Sequence, residues 1–156
     1  MDNVDFLLVA VRWVHIFAAI AAGGGGLFML VALHPAAQQL DEATRDGFLA
    51  KVRSAYTKVV IISIVGLLAS GFYNYLAVKA PKLGEDVRGL YHGLMGAKML
   101  MAFAVFFLSS ALAGRSKAFE KIRANSGLWL KVNVLLVALI VLLGAILGMI
   151  PKTGGS

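Results

Sequence analysis

Four ionisable residues stand inside stretches otherwise apolar enough to cross a bilayer: Arg12 and His15 in the first, His92 and Lys98 in the third. Such groups are costly at membrane depth, so they mark where activity is to be sought. Two imidazoles on two helices are the ligand set of a single b-type haem held edgewise between them. Lys98 then offers a charge partner or a proton-handling group. Arg12 and His15 are three residues apart and share a helix face. That sets a fixed positive charge beside an anionic group at the histidine, such as a haem propionate or a porphyrin carboxylate.

The elements that must position these residues are four apolar spans, at about 6–33, 56–78, 89–113 and 128–150. Each exceeds the roughly 20 residues that cross a hydrocarbon core. The first and third run in the same direction, so heights can be compared from their far ends near Leu33 and Gly114. His15 is 18 residues from that level, His92 is 22 and Lys98 is 16. At 1.5 Å per residue, His15 falls about 6 Å below His92 and about 3 Å above Lys98. The predicted site is one layer, with His15 and His92 as axial metal ligands.

Each residue also has a plainer reading. His92 follows Arg88 and Tyr91 and fits an interfacial belt. Arg12 can snorkel to the headgroups. Lys98, between Ala97 and Met99, is deeper and calls for a partner, which Tyr91 on the same face could be. His34, directly before Pro35, reads as structural. His92, Met95 and Met99 could present soft ligands to Cu(I), although methionines at helical spacing are usually packing.

Composition sets the class. The chain has 60% hydrophobic residues, a mean hydropathy of +0.83 and no cysteine, so lipid is its main solvent and thiolate chemistry is excluded. Its net charge of +7 sits in short connections between spans, which argues against nucleic acid as a partner. The first and third connections carry Arg45, Lys51, Arg53, Arg115, Lys117, Lys121 and Arg123, against Lys79, Lys82, Arg88 and Lys152 on the other side. This bias predicts both termini outside and the loops 34–55 and 114–127 in the cytoplasm of a bacterial plasma membrane. The first span starts acidic and its apolar run is long, so it is expected to be retained rather than cleaved as a signal peptide. Prolines at 35, 81 and 151 are expected to end helices. Asp41–Arg53, acidic first and basic last, is expected to prolong the second helix out of the membrane.

Small residues shape the packing. Gly23–Gly26 thins the first helix for a flat macrocycle or a crossing helix, or forms a kink. Gly66, Ser70, Gly71 and Asn74 make a small, polar stripe on the second. Gly144-x-x-x-Gly148 on the fourth is a packing or dimerisation pattern.

Val14-His15-Ile16, Gly25-Gly26-Leu27-Phe28, His34-Pro35 and Gly93-Leu94-Met95-Gly96-Ala97-Lys98-Met99-Leu100 together resemble the membrane superfamily that joins the copper-resistance D domain to the small four-helix protoporphyrinogen oxidase of bacteria. The resemblance implies a first-helix histidine and a third-helix lysine beside a buried site, matching His15 and Lys98.

The expectation is a single all-α domain, a four-transmembrane-helix bundle. It binds haem b or a related porphyrin through His15 and His92, with Arg12 and Lys98 as charged neighbours, in electron transfer or haem handling. Two alternatives stay open. One is an accessory subunit of a larger membrane complex, with other subunits or a second copy as partner; the other is a porphyrinogen oxidase using His15 and Lys98 as acid and base.

Overall fold

The computed structural model describes residues 5–79, 84–114 and 116–150; of the sequence features above, Pro81, Lys82, Arg115, Pro151 and Lys152 lie outside them. The described residues are helical almost throughout and contain no strand. α1 (Phe6–Phe28) continues through a π-helical turn (Met29–Leu33) into α2 (His34–Ala37), giving one rod of 32 residues. α3 (Glu42–Tyr73) continues through a second π-helical segment (Asn74–Lys79). α4 spans Glu85–Ala113, a 3₁₀ turn (Lys117–Phe119) and α5 (Glu120–Ala124) follow, and α6 spans Ser126–Met149. All four rods are long and apolar enough to cross a membrane.

Local chemistry explains most boundaries. Asp5 caps α1 by accepting from the Leu8 amide at 3.1 Å, and Asp41 caps α3 by accepting from Thr44 at 3.1 Å. The expected prolongation of the second helix is present, with α3 starting at Glu42. Glu85 and Asp86 in the first turn of α4 complement its dipole, which starts that helix ahead of the first expected residue, Gly89. Pro35 does not stop the first rod. The widened π register just before it removes the regular i→i−4 pattern that a proline would interrupt, and the chain continues for another turn to Ala37.

The rods form a ring in the order α1, α3, α4, α6. α1 packs most extensively on α3 and α4 on α6, α3 and α4 make a smaller seam, and α1 and α6 a smaller one still. α1 and α4 make no extended contact and face each other across the ring. Few side chains are buried, and long apolar residues such as Phe6, Ile20, Ile62, Leu100 and Val141 point outward, as lipid solvation demands. Close approach comes from small residues: Gly66 lies against Val14 and Ala18, and Gly23 against Val137. Gly23–Gly26 lie within the continuous α1 helix and admit neighbouring helices, Gly23 meeting Val137 and Gly25 meeting Tyr56. A Cβ on Gly25 would fall inside the Tyr56 ring, whose hydroxyl donates to the Ala22 carbonyl at 3.0 Å.

Candidate functional site: a polar layer in the outer half

His15 is half-buried on α1 and faces α3, where Gly71 leaves room for its ring. Its Nδ1 is 2.9 Å from the Ser70 hydroxyl. Ser70 has one proton, and it donates that proton to the Gly66 carbonyl. With Ser70 donating to Gly66, its oxygen accepts from His15, an assignment of the imidazole proton to Nδ1 that leaves the Nε2 lone pair free. This three-part chain explains the small, polar stripe on the second helix: Gly66 and Gly71 give space, and Ser70 sets the imidazole's tautomer.

Lys98 reaches inward from α4. Its ammonium lies over Gly144 of α6, 3.4 Å from where a Cβ would stand, and within electrostatic reach of His15. Gly144 thus makes room for a charged side chain, while Gly148 faces open space. Neither residue of this pair has an ion-pair partner among those described; the Arg45–Asp46 pair, at 3.6 Å, lies elsewhere. Tyr91, an expected partner for Lys98, is buried instead in stacking contact with Tyr75 (6.4 Å between centroids) and packs on Leu147.

His92 belongs to a separate aromatic knot. Its Nδ1 shares a 2.6 Å hydrogen bond with the Tyr75 hydroxyl, and its ring meets Tyr75 and Tyr91 edge-on. Tyr75 sits in the π-helical segment after α3. Met95 packs against the same knot. Arg12 is exposed on α1 beside Trp13, which stacks on Phe17 at 5.2 Å, a position suited to the headgroup belt.

This geometry corrects the metal-binding, haem and electron-transfer expectation. Among the described residues no group of three or more His, Asp or Glu could hold a metal ion. His15 and His92 stand on opposite rods of the ring, and each is bonded to a hydroxyl on the α3 rod. A macrocycle spanning both would have to fill the bundle centre. A cavity around Gly26, His34, Tyr56 and Asn133 lies inward of both His15 and His92 and at about 50 Å³ has room for only a few water molecules.

His15 is tied to Ser70 on α3, Lys98 reaches over Gly144 on α6, His92 is tied to Tyr75, and Arg12 is exposed. His34 bonds Gln38 at 3.3 Å and Ser126 at 3.4 Å, tying the end of the first rod to the start of α6. Sequence reasoning missed Asn133, which donates to the Val105 carbonyl (3.3 Å) and to Ser109 (3.0 Å), joining α6 to α4 in the buried interior. A lone asparagine in an otherwise apolar span was the available signal. It missed Tyr75 as well, because only a long-range contact reveals that residue's partner. Comparison with known protein families, curated proteins and solved structures finds no match to this chain.

Proposed function

We propose that this integral membrane protein binds an amphipathic carboxylic acid in its outer half, with His15 and Lys98 as the recognition pair. The observation that carries the reading is the His15–Ser70–Gly66 hydrogen-bond chain, with Lys98 reaching inward and without a carboxylate partner among the described residues. The His15 Nε2 lone pair takes the acid's proton, and the resulting carboxylate is held between the imidazolium and the Lys98 ammonium. A carboxylic acid supplies both the proton and the anionic oxygens that this pair calls for. The resemblance to the superfamily of the protoporphyrinogen oxidase makes a porphyrin dicarboxylate the first compound to try. Entry is through the outer part of the α1–α6 seam, because the contacts that close that seam, Gly23 on Val137 and Gly26 near Asn133, lie two to three turns inward of His15. In this reading both termini face outside and the loops 34–55 and 114–127 face the cytoplasm.

Metal-free protoporphyrin IX, titrated into the detergent-solubilised protein and followed by quenching of tryptophan fluorescence, tests the proposal. Saturable quenching is expected for the wild type. Lys98→Met and His15→Ala should each weaken it by roughly tenfold or more, the loss of one charge-assisted hydrogen bond. Arg12→Gln should change it little. Superimposable curves for all four proteins would exclude the site.

The broad apolar exterior and the lack of a carboxylate near Lys98 among the described residues favour a second reading, an accessory subunit whose partner supplies the acid. Cross-linking in the native membrane distinguishes the two, since a bound partner helix would give a discrete heteromeric product that Lys98→Met abolishes.

A further inference from the structure

The opposite end of the bundle carries a cationic bowl unconnected with the His15 site. Lys51 and Lys58 are seven residues apart on α3 and so share one face. With Arg53 and Arg123 they line an open depression of about 730 Å³, floored by small residues such as Ala55 and Gly114. No acidic side chain lines it. Lys51 and Lys58 are exposed and Arg53 half-buried.

The bowl is built rather than accidental. Arg123 is oriented by two carbonyls, donating to Ser116 at 2.7 Å and to Ala111 at 3.4 Å. The Thr57 hydroxyl lies 2.8 Å from both the Arg53 and the Ala113 carbonyls, pinning the end of α4 to α3. At Gly114 the chain leaves α4 so tightly that a Cβ would come within 2.7 Å of the Ser110 carbonyl, and the following connection brings Arg123 back over α3.

Four like charges around one depression repel one another unless an anion occupies it. Its depth identifies the anion. Lys58 is followed at once by Val59, and Ile61 and Ile62 are exposed one turn on (55% and 72%), so the bowl sits where headgroup gives way to hydrocarbon. Arg53 also lines the small apolar cavity among the four rods, so charge and apolar surface meet at this residue, as an amphiphile requires.

We propose that this bowl binds the phosphodiester headgroup of an anionic phospholipid, its acyl chains lying along Val59 and Ile62 on α3. Basic pockets between membrane helices recognise such headgroups in this way, with each lysine adding to the attraction.

The test uses the full-length protein in nanodiscs of phosphatidylcholine containing a minor fraction of phosphatidylglycerol, released and examined by native mass spectrometry. Wild-type protein should retain phosphatidylglycerol. The double variant Lys51→Gln/Lys58→Gln should lose roughly tenfold or more of that retention. Lys131→Gln, exposed near the same membrane face but outside the bowl, should retain it. Equal retention in the double variant and Lys131→Gln, or equal retention of phosphatidylcholine and phosphatidylglycerol by the wild type, would overturn the proposal. So would full displacement of the lipid by water-soluble glycerophosphoglycerol, which would make the bowl a site for soluble phosphates. Both lysines are exposed, and matching thermal midpoints for the three proteins establish that the comparison is between folded bundles.

Discussion

The imidazole of His15 is specified by its neighbours more than by itself. Ser70, hydrogen-bonded to both the Gly66 carbonyl and His15 Nδ1, anchors the ring against α3. Ser70→Ala should therefore weaken porphyrin binding several-fold while Ser70→Thr, which keeps the hydroxyl, should weaken it less; the same fluorescence titration reads both. Neighbouring glycines make a sharper contrast. A Cβ on Gly24 would meet nothing within 4 Å, whereas one on Gly25 would overlap Tyr56. Gly24→Ala should be neutral or stabilising by up to about 1 kcal/mol, the helix propensity difference. Gly25→Ala should cost about 1–3 kcal/mol, the range for overpacking, and thermal unfolding in detergent separates the pair. At this scale the sequence was partly legible. Polarity within an apolar run singled out His15 and Lys98, but which of four ionisable residues meet is a matter of helix rotation, and equal height proved a poor guide for His92. Its partner is Tyr75, on a rod whose azimuth is set by a π turn that no residue pattern announces.

Two π-helical segments and one cap shape the elements. The turn at Met29–Leu33 precedes His34, and the segment Asn74–Lys79 contains Tyr75, so each re-aims a side chain that ties two rods together. The rule that proline ends a helix failed at Pro35 because it is a rule about α register, and the register there is different. Between α4 and α6 the principal polar tie is Asn133. Asn133→Leu should destabilise the bundle by about 0.6 kcal/mol, the typical value for an interhelical hydrogen bond in a membrane, and by no more than about 1.7; unfolding in mixed micelles measures it. The cap on α3 is sensitive to pH. Hydrogen bonding to Thr44 holds the Asp41 carboxyl below the usual carboxylate range. Its contribution is present above the unfolded value and lost as pH falls through the folded one. The difference in thermal midpoint between wild type and Asp41→Ala should persist at neutral pH and close on acidification past that lowered value.

For the whole molecule, hydropathy alone predicted four spans and an all-α fold, since lipid leaves few other ways to satisfy a backbone. The packing order was not readable, because outward-facing Leu and Ile look the same whichever rod lies next door. Orientation can be tested directly, as the chain has no cysteine. Single replacements Gly47→Cys and Ser116→Cys should resist a membrane-impermeant maleimide in spheroplasts and react after lysis, while Asp5→Cys should react in both. The reverse pattern would invert the bundle.

The candidate membrane-spanning helix from Glu42 to Ala77 has 36 residues, about 54 Å of rod against a hydrocarbon core of about 30 Å. Several turns at its capped end therefore stand clear of the lipid, on the same stiff rod that holds Tyr56, Ser70 and Tyr75. A small soluble domain spliced in continuous helical phase onto that mast would inherit the bundle's orientation, giving a 16.5 kDa membrane protein the rigid fiducial that single-particle imaging needs.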